Sequence, residues 1–226
     1  MYSASNLLLT FLPLVSAHFN LNYPPARGFD EDTLPTFPCG GQDTVSAKRT
    51  EWPINGPIQL DMGHTTTNVQ VLLGMGDDPG TAFNTVLVPT FHEQGPQNFC
   101  LGEIPIPSSL NITDGMNATI QVVTNGDDGP GGLYNCADIT FTNTPLSSTD
   151  FNNNCKNSTG VKAMPLKGAT ETTMANSTGD SDTAPSSSGS SSSSSSTSMP
   201  SSAAGALRFA EWGTVVVAAG AGFALL

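Results

Sequence analysis

The chain has 226 residues and a formal net charge of −12, with 7 Lys and Arg against 19 Asp and Glu. So few cations argue against nucleic-acid binding, because phosphate contacts need clustered Lys and Arg, and residues 18–160 hold only Arg27, Lys48, Arg49 and Lys156. Acidic pairs such as FDED (from Phe29), Asp77-Asp78 and Asp127-Asp128 read either as solvated loops or as a field that draws in cations.

Residues 1–17 read as a signal peptide. Residues 7–15 (LLLTFLPLV) are apolar but too short to span a bilayer, and the small side chains of Val15 and Ala17 suit a cut before His18. No Lys or Arg precedes the apolar run, so the α-amine supplies the positive charge. The cleaved chain then begins with a histidine.

From His18 onward the apolar pattern has the period of strands. In NVQVLLG (from Asn68), Val69, Val71 and Leu73 share a face; in ATIQVV (from Ala118), Ile120 and Val122 do; in ADITF (from Ala137), Ala137, Ile139 and Phe141 do. PIQLDM (from Pro57) and TVLVPTF (from Thr85) are further strands, with Gly, Pro, Asn and Asp clusters between them. No helical stripe appears. The expected fold is all-β: an immunoglobulin-like sandwich with long loops in its Pro-rich first half, over residues 18–160.

Four cysteines, Cys39, Cys100, Cys136 and Cys155, form an even set in a secretory context and read as two disulfides. Three pairings are open to them. Cys100 with Cys155, leaving Cys39 with Cys136, is the working choice. A structural zinc site is disfavoured by the lack of any C-x-x-C spacing. Asn111, Asn117, Asn157 and Asn176 begin N-x-Ser/Thr sequons, which would put them on the surface of a secreted glycoprotein.

Residues 161–202 turn to Ser, Thr, Pro and Gly and read as an extended, disordered stalk. Residues 203–226 end in an apolar run (GTVVVAAGAGFALL) preceded by a short spacer and by small residues near Ser202. That order is a glycosylphosphatidylinositol (GPI) signal with Ser202 as attachment site, the tail being removed on maturation. A transmembrane helix would want roughly 20 apolar residues and a basic flank, and the tail has neither.

The chain lacks the signatures of common catalytic sites: a phosphate-cradling Gly loop with Lys, a G-x-S-x-G elbow, or H-E-x-x-H. The chemistry rests on His18, His64 and His92. As a first residue, His18 offers an amine and an imidazole to one metal, and a second imidazole completes a T-shaped set of three nitrogens, a donor set that favours copper. Zinc would prefer a tetrahedral set, which the three histidines and a carboxylate could supply. Both His18 nitrogens bind only when unprotonated, so copper affinity would weaken in acid.

HFNLNYPPARGFDED, FPCGG (from Phe37), GHTTTNVQVLL (from Gly63) and LYNCADITF (from Leu133) together resemble the fungal copper acquisition factors, lipid-anchored proteins similar to lytic polysaccharide monooxygenases. The order of signal, histidine, sandwich, stalk and anchor matches as well. The resemblance implies one Cu(II) held by a histidine brace of His18 and His64 together with Asp138. Strand alternation turns Asp138 away from the core-facing Ala137, Ile139 and Phe141, so it is expected at the surface. His92 has no counterpart in that ligand set and reads as a surface residue.

The implied function is capture of extracellular copper at the outer face of the plasma membrane and its delivery toward a copper transporter or metalloreductase. A carboxylate at the axial position favours Cu(II) and takes coordination space an oxidant would use, which leans away from polysaccharide oxidation. Trp52, Tyr23 and Tyr134 are few for stacking on sugars. The alternatives are a lytic polysaccharide monooxygenase of the wall and a structural GPI-anchored wall glycoprotein in which His18 is incidental.

Overall fold

A computed structural model describes residues 18–125, 132–166 and 175, all within one compact unit, residues 1–182. The segments read as leader (1–17), as most of the stalk, with Asn176 and Ser202, and as anchor signal (203–226) lie outside the described residues.

Two sheets face each other. The smaller has the order β1-β3-β6, from β1 (Phe19–Tyr23), β3 (Gln59–Met62) and β6 (Gln97–Cys100). The larger has the order β2-β8-β7-β4-β5-β9, from β2 (Thr50–Pro53), β4 (Thr66–Met75), β5 (Thr85–Gln94), β7 (Asn117–Asn125), β8 (Gly132–Thr142) and β9 (Lys162–Pro165). All pairings are antiparallel except β2 with β8. Among the described residues one short α-helix, α1 (Ser148–Asn154), is capped by the Ser147 side chain, which accepts from the Asp150 N–H. The expected all-β sandwich is what the chain forms.

Strand alternation places the core. Val69, Val71 and Leu73 of β4, Ile120 and Val122 of β7, and Ala137, Ile139 and Phe141 of β8 meet Phe19, Leu21, Leu60, Met62 and Phe99 of the smaller sheet. Trp52 is fully buried in the same core, stacks edge-on to Phe141 and donates its indole N–H to the Pro57 carbonyl. Tyr23 and Tyr134 are buried too. None of the three aromatics considered for sugar stacking is available for it.

The outer face of the larger sheet is covered as well. Residues 24–48 lie across it: Arg27 N–H bonds the Cys136 carbonyl, Tyr134 N–H bonds the Leu34 carbonyl, and the Gln121 amide donates to the Pro38 carbonyl. Cys39–Cys136 fastens this segment down, and Cys100–Cys155 ties β6 to the end of α1, closing loops of 97 and 55 residues in sequence. In the chain-entropy account such loops are each worth about 4–5 kcal/mol. The glycine of FPCGG after Cys39 is obligatory for close approach: Gly40 sits at φ +64, and a Cβ there would run into the Tyr134 carbonyl.

Strand β9 extends the sheet past residue 160, where composition marks the start of the stalk. All four of its residues are exposed, so it carries no apolar signal, and it is held by backbone pairing to β5. Ala175 is also buried, against Leu72, Val123 and Tyr134.

Candidate metal centre

His18 stands directly before β1, at the edge where both sheets meet. Phe19 pairs with Met62, and the Gly63 N–H donates to the His18 carbonyl at 2.7 Å, which continues the β1–β3 ladder by one more bond. His64 is therefore the residue next to the one that clamps His18. It lies in the short link, residues 63–65, that carries the chain from the smaller sheet into β4 of the larger. Strand register thus brings the backbone of two of the three histidines, His18 and His64, into the same stretch of the structure.

His18 is part-exposed, with 27% of its side chain open, and its Nδ1 lies 3.8 Å from Glu31 Oε1. It opens onto a pocket of about 240 Å³ lined by Phe19, Asn20, Phe29, Glu31, Asp61 and Gly63. Two carboxylates and no cationic side chain border this space, so its field favours a cation. His64 is half-buried, with its Nε2 shielded from solvent. Phe29 is 43% exposed.

Asp138 occupies a different place. Its side chain is fully buried on the outer face of the larger sheet, under residues 24–48, and the expectation of a surface position is corrected. The alternation argument gave its direction rightly, but that face is covered rather than open. Arg27 grips it with two bonds of 2.8 Å, Nε to Oδ2 and Nη2 to Oδ1. The Thr119 hydroxyl donates to Oδ1 at 2.6 Å and the Ser46 N–H to Oδ2 at 2.7 Å. Burial by itself would raise the Asp138 carboxyl, but the bonds from Arg27, Thr119 and Ser46, with the charge of Arg27, hold it below the usual carboxylate range. These four bonds tie down both oxygens, and the pocket at His18 is bordered by Glu31 instead.

Among the described residues, no three His, Cys, Asp or Glu side chains converge closely enough to hold a metal as they stand. While residue 17 is attached, the His18 nitrogen is an amide and cannot chelate a metal together with its imidazole. Cleavage before His18 would free that nitrogen, and an amine with an imidazole is a donor pair that suits copper.

One residue escapes sequence reasoning. Glu93 of β5 faces the core beside Phe91, fully buried, and neither carboxyl oxygen has a hydrogen-bond partner. Burial pushes its carboxyl up to about 8. A charge symbol within a strand reads as surface, and only the phase shared with Phe91 could have shown otherwise. His92 has its Nδ1 3.1 Å from the Asn68 side-chain oxygen and is half-buried on the opposite face.

Residues 16–160 match the model of the copper acquisition factor BIM1-like domain. Among relatives, an uncharacterised Aspergillus fumigatus protein is 46% identical over 175 residues, covering 75% of this chain and 71% of its own length. The lytic polysaccharide monooxygenase-like protein ham-7 of Neurospora crassa is 34% identical over 191 residues (74% and 82%), and copper acquisition factor BIM1 of Cryptococcus neoformans var. grubii 32% over 151 residues (62% and 67%). A Jonesia denitrificans lytic polysaccharide monooxygenase solved by neutron crystallography aligns at TM-score 0.36 and 17% identity, over 55% of this chain and all of that one, a likeness too loose to bear on the site. On the matched domain and these identities, the chain belongs to the BIM1-like copper acquisition factor family.

Proposed function

We propose that the protein captures extracellular Cu(II) at its processed N-terminus and supports copper uptake, without oxidising polysaccharide. The observation that supports this reading is the Gly63–His18 backbone bond, which puts His64 next in sequence to the residue paired with His18, while His18 itself lines an acidic pocket. Cleavage before His18 exposes an amine; amine and imidazole then chelate one ion, and the His64 imidazole supplies the third nitrogen. Glu31, rather than Asp138, is the carboxylate in position to join them.

The copper is cargo here, and this chain's residues bind it, orient it and surround it with negative charge. Glu31 and Asp61 border the approach and raise the local concentration of cations. The buried state of Trp52, Tyr23 and Tyr134 supports a binding role over a polysaccharide-facing one. The leader, stalk and GPI signal complete the proposal by placing the domain on the outer surface of the cell, where a transporter or metalloreductase would take the ion onward.

Native mass spectrometry of the secreted protein with one equivalent of Cu(II), beside a variant with an extra glycine before His18, tests it. One copper on the first and a large loss on the second is expected. Equal binding by both would overturn the N-terminal site.

A further inference from the structure

On the outer face of the larger sheet, three side chains stand in one row across three strands: Asn68 of β4, His92 of β5 and Met164 of β9, paired as Asn68 with His92 and His92 with Met164. Residues directly opposite across a ladder have Cβ atoms about 4.5–5.5 Å apart, so an imidazole and a thioether in this register reach one ion between them. The Asn68 oxygen only accepts, so the His92 Nδ1 at 3.1 Å carries the hydrogen, which in the neutral imidazole leaves the Nε2 lone pair for a ligand. An imidazole fixed through one nitrogen by a carbonyl-type oxygen, with the other left to a ligand, is how metal-binding histidines are oriented.

Met164 gives the second donor. It is 39% exposed on an edge strand whose residues are all exposed, so core packing does not account for it. A thioether is a soft donor, suited to Cu(I) or Ag(I) and poorly suited to zinc, calcium or magnesium.

We propose that His92 and Met164 form a second metal site, which takes a soft monovalent ion of the Cu(I) class and is independent of the N-terminal chelate. The site lies on the outer face of the sheet near its β9 edge, on strands β5 and β9, neither of which carries His18 or His64. A chain with both would hold copper in either oxidation state, each at donors matched to it.

The test uses Ag(I) as a redox-inert probe, with the secreted protein in chloride-free buffer. Affinity is read by calorimetry, and the Met164 methyl resonance by NMR. The glycine-extended variant is expected to keep one Ag(I) and the methyl shift. M164L and H92Q are each expected to lose at least tenfold in Ag(I) affinity while Cu(II) binding stays unchanged. A smaller loss in either variant, no methyl shift in the unaltered protein, or loss of Ag(I) on glycine extension alone would overturn the site. Cu(II) binding, measured on the same samples, reports separately on the N-terminal reading.

Discussion

Arg27 and Asp138, 111 residues apart in sequence, form a fully buried two-pronged ion pair that joins the covering segment to the centre of the larger sheet. Removing one member leaves the other charged and stranded. D138A should therefore destabilise the protein by about 3–5 kcal/mol, and R27K, which cannot make the paired bonds, by a large part of that. Because the folded Asp138 is held below its ordinary value, this stability is present above the unfolded carboxylate range and is lost as acid protonates the folded group. Chemical denaturation of both variants at neutral pH, with a pH series on the parent, checks it.

Glu31 provides the contrasting carboxylate. Exposed and 3.8 Å from the His18 ring, it contributes nothing to the core. E31Q is expected to leave thermal stability within about 0.5 kcal/mol and to weaken Cu(II) binding about tenfold, roughly 1.4 kcal/mol. D138N would have the opposite profile, with a large stability loss and Cu(II) affinity little changed in the folded fraction. Paired calorimetry and thermal melts separate the two, and a loss of affinity in folded D138N would return Asp138 to the ligand set.

Glu93 makes stability fall with rising pH. Its unfolded carboxyl ionises near 4.5 while the folded one, desolvated, holds its proton to about 8. The folded state binds the extra proton in that window, so the favourable contribution is complete below the lower value and is lost as pH climbs to the upper, at up to about 1.4 kcal/mol per unit. E93Q should flatten this slope and raise stability at pH 7 by about 1–3 kcal/mol. Urea denaturation of both proteins across pH 5 to 8 gives the comparison.

The sequons are not equivalent. Asn111 and Asn157 are exposed, whereas the Asn117 nitrogen bonds an Asp77 side-chain oxygen at 2.7 Å and its oxygen accepts from the Thr140 hydroxyl at 2.6 Å. A glycan on Asn117 would replace one of the two hydrogens on that nitrogen and crowd the bond to Asp77. Glycopeptide mass spectrometry is expected to find Asn111 and Asn157 occupied and Asn117 bare.

Much of the fold was legible because β4, β7 and β8 each bury one continuous apolar phase, which period-two alternation reveals. Strand β1 carried the same sign in Phe19, Leu21 and Tyr23, yet its short length and flanking prolines hid it in a stretch read for its histidine. Strands β6 and β9 are short and mostly polar, so their existence depends on pairing partners far away in sequence. The pairing that puts His64 next to the partner of His18 follows from register, which residue spacing does not encode. Asp138 shows the limit most clearly: alternation fixes which way a side chain points, but an aperiodic Pro-rich segment decides whether that side is wet or covered.

Chain ends ordinarily fray, and ordering them costs about 1–2 kcal/mol per residue. The bond from Gly63 to the His18 carbonyl holds His18 in the sheet. Under the proposed processing before His18, folding rather than metal capture would meet the ordering cost of a chelate at the end of the chain, and affinity would gain what a floppy tail with the same donors would lose. On that reading, whatever loosens the edge of the small sheet would loosen the grip on copper, and metal retention would report on the integrity of three strands.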